Sequence, residues 1–227
     1  MSSVDETCWS MVQDAAEGDH GARSVFSRTY LDLVRAYLGA RWRGSPLLDR
    51  LDDAVQDVFM DCFRAQGALG RADRDLRIGF RTFLYGVVRN IARRHEERVG
   101  KSRDRAAASG FDAEVLEAAD DPLSRVWDRA WARTILQRAG ERQRLWAETD
   151  GAEGRRRIDL LKLRFGEGLP IRDIAEQWGI AADQLHAEYR RAREEFKRAL
   201  REEVAFHNPD APLAAEKECE RLLGLLK

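Results

Sequence analysis

The sequence predicts an all-α protein of two small helical domains, and three observations carry that prediction. Its 227 residues include only five prolines and 17 glycines, few breakers for this length, while Ala, Leu, Arg and Glu, all good helix formers, dominate. Apolar residues recur at three- and four-residue intervals over long stretches, the spacing that lines one face of a helix. Charge also changes sign in blocks. Residues 1–70 carry a net −4, 71–105 a net +6, 106–124 a net −5 and 125–227 a net +2, so the formal total of −1 is a cancellation. The block 106–124 has five acids, no base, and Gly110 and Pro122 as breakers, which reads as an acidic linker. The expected organisation is a helical domain over 1–105, the linker 106–124, a second helical domain over 125–205 and a C-terminal extension over 206–227.

In the first domain, Phe26, Tyr30, Leu33, Val34 and Tyr37 predict one amphipathic helix, and Leu51, Val55, Val58, Phe59 and Cys62 a second. Phe80, Phe83, Leu84, Val87, Val88 and Ile91 predict a third. In the second domain a helix beginning at Trp127, Trp131 and Ile135 runs toward Leu145 and Trp146. A glycine-bounded loop, Asp150 to Gly154, is expected to separate it from a helix over Arg155–Phe165. Gly166–Leu169 reads as a turn, Pro170 as a helix start, and Gly179 as the break before a last long helix of about 20 residues.

Several classes of protein are excluded at this level. Cys8, Cys62 and Cys219 lie far apart with no C-x-x-C and no histidine at ligand spacing, so neither a zinc site nor a disulfide framework is written. His20, His95, His186 and His207 are scattered, and no Gly-rich phosphate loop precedes a helix. No catalytic residue, metal or cofactor is expected, and the protein is not expected to be an enzyme. No run of about 18 apolar residues occurs, and MSSVDETCWS lacks a basic stretch followed by an apolar one, so a cytoplasmic protein without membrane insertion is expected.

Three segments carry functional grammar. In LPIRDIAEQWGIAADQLHAEYRRAREEF, Ile174, Trp178, Ile180 and Leu185 form an apolar frame, and Ala175 is small where two helices must approach. Gly179 can take the positive φ of a tight turn, as in a helix-turn-helix. The helix from Ala182 would be the recognition helix, with Gln184, His186, Ala187 and Glu188 facing outward to a major groove and Tyr189, Ala192 and Phe196 facing inward. On DDAVQDVFMDCF, Asp53, Gln56, Asp57, Met60 and Asp61 share the face opposite the apolar stripe, which is either a solvated surface or a docking site. FRTFLYGVVRNIARRHEER joins aromatics to Arg81, Arg89, Asn90, Arg93, Arg94 and Arg98, a pairing suited to stacking unpaired bases and gripping phosphates. Phe80, Phe83 and Tyr85 are not all expected to reach the core at that spacing.

Together these segments resemble the extracytoplasmic-function group of bacterial sigma factors, the promoter-specificity subunits of RNA polymerase. DDAVQDVF looks like region 2.2, FRTFLYGVVRNIARRHEER like regions 2.3 and 2.4, and LLKLRFGEGLPIRDIAEQWGI with the following RRAREEF like region 4. The resemblance covers roughly residues 10–100 and 125–205. It implies that Asp53, Gln56, Asp57, Met60 and Asp61 dock on the β′ clamp helices of core RNA polymerase. Arg81, Phe83, Tyr85, Arg89, Asn90, Arg93 and Arg94 would open and hold the −10 element of promoter DNA. Arg172, Gln184, His186, Ala187, Glu188, Arg190 and Arg191 would read the −35 element, in a domain that also meets the β flap. The linker would pass through a basic channel of the polymerase, and an anti-sigma factor or other regulator is a further implied partner.

The chain departs from the family pattern in four places. His186, Ala187 and Glu188 stand where outward bases are common; Glu accepts from cytosine N4 but repels phosphate. WAETDGAEGRRR lengthens the approach to LLKLRF, and its Arg155, Arg156 and Arg157 read equally as phosphate contacts or as a solvated helix start. Phe83 stands where Trp is common. The extension carries Leu213, Cys219, Leu222, Leu223, Leu225 and Leu226, a short amphipathic or apolar segment that either covers its own domain or binds a partner, and it is expected to regulate access to the DNA-binding surfaces. Two other functions fit parts of the sequence: a stand-alone helix-turn-helix DNA-binding regulator, and a polymerase-binding interaction protein without promoter reading.

Overall fold

A computed structural model describes residues 8–72, 79–106, 120–207 and 215–225. Among these the protein is all-helical, with nine α-helices and no strand: α1 Cys8–Glu17, α2 His20–Arg41, α3 Leu51–Phe63, α4 Gly79–Ala106, α5 Asp120–Thr149, α6 Gly151–Phe165, α7 Ile171–Trp178, α8 Ala182–His207 and α9 Ala215–Gly224. The expected linker falls mainly on residues 107–119, outside the described residues, and its last five residues begin α5.

Local chemistry explains where these helices start and stop. Gly18, at φ +107°, breaks α1 from α2. The Asp19 side chain then accepts from the Ala22 amide at 2.6 Å, capping an end that otherwise leaves backbone donors unpaired. After α2, Ser45 caps a short 3-10 turn over Pro46–Arg50 that seats Leu47 in the core. α3 closes on Gly67, where a Cβ would meet the Asp61 carbonyl oxygen at 2.2 Å.

One large core then gathers nearly every helix. α2 buries Phe26, Tyr30, Leu33, Val34, Tyr37 and Leu38, and α1, α3 and α4 pack on it through Trp9, Val58 and Phe80. The same core takes Trp127, Trp131 and Ile135 from α5, Leu200 and Val204 from α8, and Cys219 and Leu222 from α9. The hydrophobic interior therefore does not divide at 106–124. The ring of Trp131 stacks on Tyr30 at 6.1 Å with 6° between planes, an offset geometry worth more than its buried area alone.

A buried polar chain closes one end of this core. The His207 Nδ1 donates to the Glu203 carbonyl at 2.9 Å, so its Nε2 is the acceptor for the Tyr30 hydroxyl, also at 2.9 Å. The Glu203 carboxylate receives Arg138 at 2.5 Å and Arg142 at 3.1 Å, and Arg138 reaches Thr29 at 3.0 Å. Burial lowers the proton affinity of His207 and keeps the ring neutral. Burial alone would raise that of Glu203, but the Arg138 and Arg142 guanidiniums bound to it hold it below the ordinary carboxylate value.

A second, smaller cluster consists of Leu160, Ile171, Ile174, Ala175 and Leu185, rimmed by Leu163, Leu169, Trp178, Ile180 and Tyr189. It holds α6, α7 and the start of α8. Two sequence expectations are corrected nearby. The Asp150–Gly154 loop is almost absent, because α6 already begins at Gly151. Gly154 instead lets α6 meet α5: a Cβ there would lie 2.2 Å from the Ala147 carbonyl oxygen. The last long helix extends to 26 residues, Ala182–His207, because its second half belongs to the large core.

Candidate nucleic-acid interface

Two faces bear the residues singled out from sequence, and they differ in what covers them. The first is built by α7 and α8. Pro170, extended at ψ 147°, starts α7, and Gly179 ends it in the left-handed conformation at φ 64°. Its amide and that of Ile180 return to the carbonyls of Glu176 and Ala175, the glycine C-cap that makes a sharp helix stop. Buried Ala175 allows α8 to cross closely. Gln184, His186 and Ala187 are exposed on the first turns of α8, Arg190 one turn on, and Arg172 on α7.

Glu188 does not share that outward face. It is half-buried and holds Arg156 of α6 through two hydrogen bonds, at 2.8 and 2.5 Å. This cancels both charges against each other and removes Glu188 as a direct obstacle to phosphate. The basic trio splits three ways. Arg155 is exposed, Arg156 is spent on Glu188, and Arg157, 2% exposed, pairs with Asp150 and with Glu195 at 3.1 Å. Arg191, though exposed, is engaged by Glu195 at 3.1 Å and Asp150 at 3.2 Å. No sequence spacing signals Arg156–Glu188, Arg157–Glu195 or Arg191–Asp150, which join residues 32 to 41 positions apart, whereas Arg191–Glu195 is an ordinary i,i+4 helix pair.

The second face is built by α3 and α4. Asp53, Gln56 and Met60 are open to solvent, Met60 at 60% exposure. Asp57 and Asp61 are half-buried and turned toward α4. Asp57 meets His95 at 2.9 Å and Arg98 at 3.9 Å, while Asp61 meets Arg64 at 2.8 Å and Arg94 at 3.8 Å. The five-residue acidic face is thus three exposed side chains and two that bind α3 to the basic helix. Asn90, Arg93 and Arg94 are exposed on α4. Glu96, on the same helix, is clasped by Arg41 at 2.7 and 3.0 Å and by the Trp42 indole at 2.8 Å, which fixes α4 against the end of α2.

The aromatic half of α4 departs from expectation. Phe80 is buried at 1% exposure, and both Phe83 and Tyr85 lie half-buried against the same core. Phe83 lies 6.1 Å from Phe80, and Tyr85 sits between Tyr37 at 5.5 Å and Trp127 at 5.3 Å. Phe80 and Tyr85 reach the core together because α5, from the far side of the expected linker, supplies a second wall at Trp131 and Trp127, and Phe83 packs beside Phe80. Arg81 pairs with Asp128 of α5, and Arg89 is half-buried. Burial, with Arg221 of α9 adding to it, lowers the proton affinity of Arg81. The α9 helix docks through buried Cys219 and Leu222 and through Glu216, which binds Arg201 at 2.7 Å. Leu213 and Leu226 of that extension lie outside the described residues.

Among the described residues, no group of three or more His, Cys, Asp or Glu is arranged to hold a metal ion. Nor is any helix there long and apolar enough to cross a membrane. The cysteines are free and buried; burial, with Asp61 adding to it, pushes the Cys62 thiol up to about 12, far from thiolate reactivity. What the arrangement offers is two helical faces carrying arginine, asparagine and glutamine, one of them beside an acidic edge. A scan against protein-family models finds no match for this chain, and a search of curated proteins finds none either.

Proposed function

We propose that this chain is a sigma-type transcription initiation factor that brings core RNA polymerase to promoters and performs no covalent chemistry. The observation that carries the reading is the adjacency of α3 and α4. An exposed edge of Asp53, Gln56 and Met60, in which Asp53 carries the charge, stands beside an edge of Asn90, Arg93 and Arg94, and the two helices are tied by Asp57–His95 and Asp61–Arg94. A docking edge next to a strand-gripping edge lets one rigid helix pair meet protein and nucleic acid at once. On α8, Gln184, His186 and Arg190 supply donors and charge for duplex contacts, Gln being suited to adenine and Arg to guanine or phosphate. The near-neutral chain suits a factor whose electrostatic pull on DNA comes largely from its partner enzyme.

Run-off transcription with core RNA polymerase on a promoter library tests the reading. Transcripts from a discrete set of promoters are expected. Replacing Arg93 and Arg94 together by Ala should reduce open-complex formation while leaving polymerase binding intact, and Asp53→Lys should do the reverse. Absence of promoter-directed transcripts, or loss of the same activity in both variants, would overturn it.

A stand-alone helix-turn-helix regulator is the second reading, and the openness of the α8 face favours it. It requires tight binding to duplex DNA without polymerase, which a gel shift with and without core enzyme separates from the first.

A further inference from the structure

The contact between α4 and α5 is made differently from the rest of the core. On α4, Arg81 and Tyr85 stand four residues apart, so they share one face. On α5 the neighbours Trp127 and Asp128 meet them. Arg81 pairs with Asp128, and the rings of Tyr85 and Trp127 lie 5.3 Å apart with 55° between planes. A guanidinium on an anion beside an aromatic ring against a flat apolar ring is the chemistry that holds a single strand of nucleic acid, phosphate to arginine and base to ring.

The same contact is incompletely satisfied. Trp127 Nε1 and Arg81 Nε are buried with no hydrogen-bond partner, whereas the α2–α5 contact one turn further along has Tyr30 stacked on Trp131 with its hydroxyl bonded to His207. Buried donors without partners oppose the closed arrangement, because water or a ligand oxygen would satisfy them. The start of α5 is thus held to α4 less favourably than its middle is held to α2.

We propose that the first turns of α5 are an internal competitor for single-stranded nucleic acid, with Asp128 standing where a phosphate binds Arg81 and Trp127 where an unpaired base meets Tyr85. This rests on the sigma-type reading and deepens it: capture of a melted strand on α4 requires Trp127 and Asp128 to withdraw while Trp131 and Ile135 stay seated on α2. The free protein is thereby kept from binding stray single strands.

The test uses the full chain with Asp128→Asn, which removes the competing charge and keeps the shape. Fluorescence anisotropy with a labelled single-stranded DNA 12-mer of mixed sequence is expected to show binding about tenfold tighter than for the unaltered protein, the equivalent of about 1.4 kcal/mol. Adding Arg81→Ala should abolish that gain. Hydrogen exchange on the unaltered protein provides a second readout independent of any variant. Residues 123–128 should lose protection when the 12-mer is added at saturating concentration, and residues 131–139 should not. Equal affinity of the two proteins, or unchanged protection at 123–128 with the strand bound, overturns the competitor while run-off activity leaves the sigma-type reading standing. If neither protein binds the strand and neither supports run-off transcription, both fall together.

Discussion

The two hydrophobic clusters of this protein are made by different means, and their candidate faces differ accordingly. The large one joins α1–α5 with the end of α8 and α9, is dense in aromatic rings, and is closed at one end by the Tyr30–His207–Glu203–Arg138 chain. The small one rests on five buried aliphatic residues, Leu160, Ile171, Ile174, Ala175 and Leu185. α4 belongs to the large cluster, and α5 meets its first two turns at Phe80, Arg81 and Tyr85. The start of α8 belongs to the small one, where α6 and α7 pack against its inner side and Gln184, His186, Ala187 and Arg190 remain exposed. A helix that contributes to a large core surrenders part of its surface to that core. A helix on a small one keeps it.

The contrast can be broken most severely at Glu203. This carboxylate is 1% exposed between Arg138 and Arg142, and Glu203→Ala strands two guanidiniums and loosens α5 from α8. A loss of about 3 kcal/mol in global stability is expected, the low end for breaking a buried ion pair because both arginines keep some solvent contact. Chemical denaturation measures it, and a loss below about 1 kcal/mol would mean that the chain Tyr30–His207–Glu203 is not what closes the large core.

Acid should act on the same cluster. His207 titrates below its ordinary value in the folded protein, so the unfolded chain takes up the proton first. Its contribution is complete above about pH 6.5 and is lost as pH falls toward the folded value, at no more than about 1.4 kcal/mol per pH unit. Glu203, also lowered, adds a second loss below about pH 4.3. Melting temperature followed from pH 8 to pH 5 is expected to fall below pH 6.5, and a flat profile would show that His207 is already accessible to protons in the folded state. The comparison sharpens if the protection factors of α7 amides, relative to intrinsic exchange at each pH, stay level over the same range, since no member of this polar chain belongs to the small cluster.

The smallest effect is expected at Gly179. Its φ of 64° is a conformation that an L side chain adopts at a cost, while no atom lies within 4 Å of a Cβ placed there. Gly179→Ala should therefore cost about 1 kcal/mol by backbone strain alone. That loss should appear as faster exchange in α7 and α8 up to Leu185, with Trp131 and its neighbours unaffected. A global loss instead would mean that the two clusters unfold as one unit.

Much of the fold is legible in the sequence, and the reason differs from element to element. The stripe Phe26, Tyr30, Leu33, Val34, Tyr37 announces α2 because a helix buried on one side repeats its apolar residues every three to four positions. The turn at Gly179 is legible because only glycine takes that backbone conformation freely. The Asp150–Gly154 stretch misleads for the same reason turned around: glycine there serves the approach of two helices, with Gly154 against Ala147, and a close approach leaves no mark distinguishable from a loop. Of the candidate residues, Asp53, Gln56, Met60, Asn90, Arg93, Arg94 and Arg190 are exposed as the spacing suggests. Asp57, Asp61, Arg81, Phe83, Tyr85, Arg89 and Glu188 are half-buried instead.

Local sequence, then, determined which segments are helices, where α7 stops, and which residues share a face, because these follow from propensity, period and backbone sterics within a few neighbours. Only the tertiary structure decided that α5 crosses the expected domain boundary to lie on α2 and α4, that Asp128 takes Arg81, and that Arg156 takes Glu188. Those pairings join residues 47 and 32 positions apart. They depend on where whole helices pack, and the energy that chooses among packings is summed over the entire core rather than written in any one segment.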